Sequence, residues 1–248
     1  MNAIARLTLS ALLAAGIASG VCATTNCLGV DIAFGGPEAA TPDNTLSAAE
    51  KALGYKLLFD GETLNNWKCT GPNNGEWVVQ DGAIFCTGKP GPYLYTAERY
   101  GDFELKLDFM VDYGANSGLF FRLDDLSDPV QTGIEMQILD TAATKTPGKS
   151  DCGAIYDCLA PSENAMKPAI RWNSVVLRCK RNMIAVTMNG KRIIYMDLDK
   201  WTKPHQNPDG TPNKYPTAYK DMSREGFIGM QNYGNKVWFR NIKIAELK

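Results

Sequence analysis

The stretch WNSVVLRCKRNMIAVTMNGKRIIYMDL, residues 172–198, alternates apolar with polar residues and is broken at Arg181-Asn182 and at Asn189-Gly190. A period of two buries one face of a strand, and a two-residue Asn-Gly break is a hairpin signal, so the stretch reads as consecutive strands joined by tight turns. Outward from it the pattern recurs in YKLLFDG (55–61), EWVVQDGAIFCTG (76–88), DFELKLDFMV (102–111), SGLFFRL (117–123), GIEMQIL (133–139), GFIGMQNYG (226–234) and KVWFRNIKIAEL (236–247). Asp81-Gly82 supplies another hairpin turn. Short strands at regular spacing with almost no helix predict an all-β fold, a two-sheet β-sandwich of the jelly-roll kind. There is no internal repeat.

The first residues, MNAIARLTLSALLAAGIASGVCA, carry one Arg, an apolar run and small residues at a cleavage position. They read as a signal peptide over 1–23, too short and too poorly flanked for a membrane span, which predicts a periplasmic or secreted protein. Val21 before Cys22 argues against a lipid anchor. Residues 24–46 read as a linker and 47–248 as the domain, entered by a short helix from about Ser47 to Leu53. Ser47 and Glu50 there have capping-box spacing, and Gly54 supplies a stop. Past the signal six cysteines remain, and an even count in an oxidising compartment suggests disulfides. Cys152–Cys158 and Cys69–Cys86 are the expected pairs. His205 is the only histidine and no Cys-x-x-Cys occurs, so a Cys/His zinc site is disfavoured.

The chain has 26 Lys and Arg against 27 Asp and Glu, without a basic run or an acidic tail. That balance disfavours nucleic acid and anionic lipid and suits a neutral ligand. Chemistry is suggested first by GIEMQIL. Ile134, Met136 and Ile138 share one strand face, which leaves Glu135 and Gln137 on the other, where a partly desolvated carboxylate can become a general base. In NSGLFFR, Asn116, Phe120 and Arg122 share a face, and pairing with the Glu135 strand would bring Arg122 diagonally within reach of Glu135. Gln231 and Tyr233 share a face opposite Ile228 and Met230. Gln231 suits a sugar hydroxyl, and Tyr233 a proton donor or stacking surface. Trp67, Trp77, Trp172 and Tyr93 are stacking candidates, with Trp172 beside Asn173 preferred. Asp140 could join Glu135 around a divalent metal, which leaves metal an open option with no certain cofactor. The Pro- and Gly-rich run from Asp199 to Glu225 has no strand pattern, and its length predicts an ordered lid carrying His205 over the site.

Taken in order, LFDGETLNNW, GDFELKLDF, NSGLFFR, GIEMQILD, GAIYD, WNSVVLRCK, NPDGTPNK and GFIGMQNYGNKVWFRNIKIAEL resemble the 3-keto-disaccharide (3-keto-glycoside) hydrolase domain family over about Lys51 to Lys248. The resemblance implies a concanavalin-like or laminin-G-like jelly roll. It also implies an enzyme that acts on glycosides already oxidised to a ketone at sugar C3. Such a ketone acidifies the C2 proton, so a base can remove it and the enolate can expel the C1 substituent. Water then adds. Ordinary glycosidases instead use two carboxylates flanking the bond. Where many members carry Asp-His-Gly, this chain reads Asn232-Tyr233-Gly234. Glu135, His205 and Tyr233 are the catalytic candidates here, and His205 is the residue that could stand in for that His if it acts in relatives. Asn116, Arg122, Gln137, Trp172, Asn173 and Gln231 are then the substrate-binding candidates. The competing reading is a laminin-G-like glycan-binding module without catalysis. A retaining glycosidase is a weaker third, since Gln137 stands where that strand needs an acid.

Overall fold

The computed structural model describes residues 42–248. The signal peptide, Cys22, Cys27 and most of the expected linker lie outside the described residues. Two antiparallel sheets face each other, as the alternation leads one to expect. Thirteen strands build them: β1 (Lys56–Leu57), β2 (Trp67–Cys69), β3 (Trp77–Gln80), β4 (Ala83–Thr87), β5 (Leu94–Thr96), β6 (Phe103–Val111), β7 (Asn116–Leu123), β8 (Ile134–Leu139), β9 (Asn173–Lys180), β10 (Met183–Met188), β11 (Lys191–Asp197), β12 (Phe227–Met230) and β13 (Lys236–Glu246). The larger sheet runs β11-β10-β9-β6-β13-β4-β3, with β1 also on β13, and the smaller runs β2-β5-β12-β7-β8.

The core lies between the sheets. Along β6, Phe103, Leu105, Leu107, Phe109 and Val111 are buried, while the residues between them are half-buried on the outer face. Ile134, Met136 and Ile138 of β8 meet this layer from the smaller sheet. Two of the three expected hairpin turns have glycine at the second central position, while at Arg181-Asn182 only Arg181 has a positive φ. Asp81-Gly82 and Asn189-Gly190 hold positive φ at both central positions, the twist a two-residue hairpin requires.

The first helix, α1 (Ala48–Ala52), starts at the expected cap. The Glu50 amide donates to Ser47 Oγ (3.2 Å) and the Ser47 amide to Glu50 Oε2 (3.1 Å). Lys243 (2.8 Å) and Lys106 (3.2 Å) clamp the Glu50 carboxylate, which ties α1 to the larger sheet. The second, α2 (Pro129–Thr132), has no signal in the strand pattern and opens on a proline at its first turn. Among the described residues no helix is long and apolar enough to cross a membrane.

The disulfide expectation is not met. Cys69, Cys86, Cys152, Cys158 and Cys179 are all free. Cys69 and Cys86 sit on strands of different sheets, β2 and β4, and not on paired strands of one sheet. Cys152 and Cys158 are both buried, and burial pushes both thiols up to about 12, where they behave as small apolar side chains.

Candidate functional site

Strands β7 and β8 are buried on both faces, which is unusual for a sheet with one side turned from the core. The cover comes from the two long connections. Residues 153–156 extend the smaller sheet beyond β8: the Gln137 amide donates to Ala154 O (2.9 Å), Gly153 to Gln137 O (2.8 Å) and Tyr156 to Glu135 O (2.9 Å). The 199–225 segment packs behind them on buried Trp201, Tyr215 and Tyr219. The Trp201 indole donates to Asn207 Oδ1 (2.8 Å), and Asn207 donates on to Asp157 O (3.0 Å). Between this cover and the sheet lies a groove of about 370 Å³.

Glu135 forms its floor. The residue is only 3% exposed, and burial raises its carboxyl from 4.5 to about 7, against the opposing pull of Lys214. Its oxygen fits because β7 carries no side chain beside it: a Cβ on Gly118 would stand 2.2 Å from Glu135 Oε1. Gln137, next along the same face, donates to Asn116 Oδ1 (3.2 Å), which leaves the Gln137 carbonyl and the Asn116 amide nitrogen to meet a ligand. Gln231 follows β12 and donates to the Tyr93 hydroxyl (2.9 Å), so the Tyr93 proton is free to be donated onward. Tyr156, Tyr233 and Val130 of α2 complete the walls. Burial raises the Tyr93 and Tyr156 phenols, and the Glu135 charge adds to it.

Lys214 enters from the 199–225 segment. Its ammonium stands 3.8 Å from Glu135 Oε2, over the Tyr156 ring at 4.3 Å and beside the Tyr215 ring at 5.3 Å. The Asp157 carboxylate accepts the Lys214 backbone amide (2.7 Å) and fixes the approach of that segment.

Of the candidates read from sequence, the structure gathers Glu135, Gln137, Asn116, Gln231 and Tyr233 around one groove, with Tyr93. The others fall elsewhere. Arg122 is fully buried and turned away, with a positive φ of 51°. Leu123 pairs with Phe227 and Phe120 with Gly229, so β7 has an extra residue at Arg122, a bulge that breaks the period-two assumption. Its guanidinium reaches Gly101 O (3.4 Å) and Asp102 (3.3 Å), and one nitrogen has no partner. Asn173 opens β9 of the larger sheet and Trp172 immediately precedes it. Trp172 lies under the Arg240 guanidinium (4.1 Å), and Asn173 holds the Lys167 amide (2.8 Å) and Asn189 (2.8 Å). Asp140 accepts the Gly114 amide (2.9 Å) and does not line the groove, so it shares no site with Glu135. Among the described residues no group of three His, Cys, Asp or Glu converges.

His205 is exposed and outside the groove lining, and its backbone is held by Tyr215 O (2.8 Å) and the Asn213 amide (3.0 Å). The long segment does reach the groove, but as a fixed wall and through Lys214. Because His205 has a positive φ of 54°, Asn is the replacement that its backbone tolerates. His205→Asn is expected to keep wild-type turnover. A large loss measured in a steady-state assay would return the imidazole to the site.

Lys214, Tyr156 and Gly118 were missed from sequence. Each lies in a motif already singled out, at the end of NPDGTPNK, inside GAIYD and inside NSGLFFR, but a strand-face argument does not reach loop residues or an absent side chain.

Residues 54–245 match the family described as the 3-keto-alpha-glucoside-1,2-lyase-like domain. A 3-keto-disaccharide hydrolase of Bacteroides thetaiotaomicron is 27% identical over 238 residues, 82% of each chain. A solved structure from Parabacteroides distasonis, provisionally described as a glycosyl hydrolase, is 34% identical, covers 78% of this chain and 99% of its own, and superposes with a TM-score of 0.70. A second from that organism, described likewise, is 26% identical over 84% and 100%, with a TM-score of 0.69.

Proposed function

Because the chain belongs to the 3-keto-alpha-glucoside-1,2-lyase-like domain family, we propose that its groove cleaves 3-keto-glycosides by elimination, with Glu135 as the base. The observation that carries the reading is a carboxyl on the groove floor held at about 7, where it takes and returns a proton near neutrality. Glu135 removes the C2 proton, and the C2–H electrons form the C2–C3 enolate. As the ketone is restored, a C1–C2 double bond forms and the C1–O bond breaks. The leaving oxygen takes its proton from protonated Glu135 or from one of the phenols of Tyr93, Tyr156 and Tyr233. Water then adds to C1 and gives the free 3-keto sugar. Asn116, Gln137 and Gln231 hold sugar hydroxyls, and Tyr233 at the rim meets the aglycone. A single carboxyl supports this route over the paired-carboxylate one. The substrate is a glycan or an oxidised disaccharide, met outside the cytoplasm if the leader read in residues 1–23 acts as a signal.

A C2-deuterated 3-keto-disaccharide tests the route. Turnover should slow relative to the protiated sugar, and kcat/KM should rise with pH through about 7 as Glu135 loses its proton. Equal rates for both isotopologues, with C2 exchange also absent, would exclude C2 abstraction.

A further inference from the structure

The Lys214 ammonium is paired with Glu135 only at 3.8 Å, beyond ordinary hydrogen-bond distance, although it lines the groove and its side chain is only 27% exposed. Two aromatic rings and the Glu135 carboxylate hold it without engaging its donors at hydrogen-bond distance: 4.3 Å to the Tyr156 ring, 5.3 Å to the Tyr215 ring, 3.8 Å to Glu135 Oε2. A cation whose backbone is held and whose N–H donors are not taken up at hydrogen-bond distance is preorganised for an oxygen that arrives with the ligand. On a 3-keto sugar, C2–H and C3=O belong to neighbouring carbons. A base on the groove floor and a cationic donor beside it are the pair that these neighbours require.

We propose that Lys214 is a catalytic residue, whose ammonium donates to the C3 oxygen as that oxygen gains negative charge while Glu135 takes the C2 proton. The proposal rests on the elimination reading above and adds to it the group that holds the enolate. Lys214 remains an ammonium throughout. It forms no bond to carbon, and the proton that leaves C2 goes to Glu135. Its place depends on the Asp157 carboxylate and on the 199–225 segment, which explains why a loop without a strand pattern is so firmly anchored.

The test compares wild type, Lys214→Met and Lys214→Arg on a 3-keto-disaccharide and its C2-deuterated form, with thermal melts confirming that each variant is folded. Lys214→Met should lower kcat roughly tenfold to a hundredfold with KM little changed, less than a dry oxyanion site loses because this groove is open to water. Lys214→Arg should recover part of that loss. The acid limb of the rate profile should move upward in Lys214→Met and stay in place in Lys214→Arg. The other titratable groups around Glu135 are the phenols of Tyr93, Tyr156, Tyr215 and Tyr233, and burial raises the first three away from neutrality. Binding of the unoxidised disaccharide should be equal in all three proteins. Wild-type kcat in Lys214→Met, beside a clear C2 isotope effect in wild type, would overturn the role of Lys214 alone. An adduct at Lys214 trapped by borohydride would also overturn it, since the lysine would then act covalently. If wild type itself shows neither cleavage nor C2 exchange, the elimination reading falls and this proposal with it.

Discussion

Glu135→Gln is expected to reduce turnover of a 3-keto-glycoside by about 10²–10⁴-fold, the range lost with a general base, while the folded protein becomes more stable at neutral pH. Both expectations come from one property. The carboxyl ionises at 4.5 in ordinary surroundings and at about 7 in the fold, so the folded state binds its proton more tightly than the unfolded state does. The sign follows from linkage. Below 4.5 both states are protonated and the group costs nothing, whereas between 4.5 and about 7 only the unfolded state ionises and stability falls as pH rises. Above that window the cost is constant, at about 3 kcal/mol. Gln is neutral at every pH and removes it. The melting temperature of Glu135→Gln should therefore match wild type near pH 4.5 and exceed it increasingly up to pH 7. Lys214 loses its partner in the variant, but it is partly exposed and water can compensate. A glycan-binding module predicts something different: binding of unoxidised sugar, indifferent to Glu135, and no turnover to lose. Full activity in Glu135→Gln would remove the carboxylate from the chemistry.

The sandwich was legible because each sheet has one dry face, and that asymmetry is written into the sequence as alternation. It is clean along β6, where every second residue is buried, and it places Glu135 and Gln137 together on the opposite face of β8 from Met136. Alternation says which face a residue takes within its own strand, but not which strand or loop lies across from it. Trp172 and Asn173 were assigned to the site although β9 belongs to the other sheet, a fact about strand order that no local pattern contains. Arg122 was misplaced by a bulge that depends on the register of β12, more than a hundred residues away. The burial that raises Glu135 comes from residues 153–156 and 199–225, whose packing rests on hydrogen bonds between loops. His205 drew attention by its chemistry, yet Lys214 from the same segment stands in the groove, because Asp157 fixes the backbone there and leaves His205 outside.

Gly118→Ala is the second change expected to abolish most of the activity, on the order of 10²-fold, and here two physical effects have opposite signs. Glycine inside a strand has an entropic cost of about 0.5–1 kcal/mol relative to alanine. Gly118 does not hold a positive φ, so on backbone grounds alone alanine would stabilise β7. Sterics decide otherwise. The new methyl carbon would lie 2.2 Å from Glu135 Oε1, 2.9 Å from its Cδ and 3.1 Å from its Cγ, inside contact distance of the whole carboxyl end. Overpacking of this kind costs about 1–3 kcal/mol, which exceeds the entropic gain. Glu135 cannot yield freely, since Lys214 and Tyr156 stand around it. A displacement of about 1 Å at the reacting group is enough for a hundredfold loss. A double-mutant cycle separates the two effects. In a Glu135→Ala background the methyl meets no carboxyl, so Gly118→Ala should there become neutral or stabilising, while in the wild-type background it should destabilise. If Gly118→Ala destabilises equally in both backgrounds, the glycine serves the strand itself. If it leaves kcat unchanged, the close approach of Gly118 to Glu135 has no part in positioning the base.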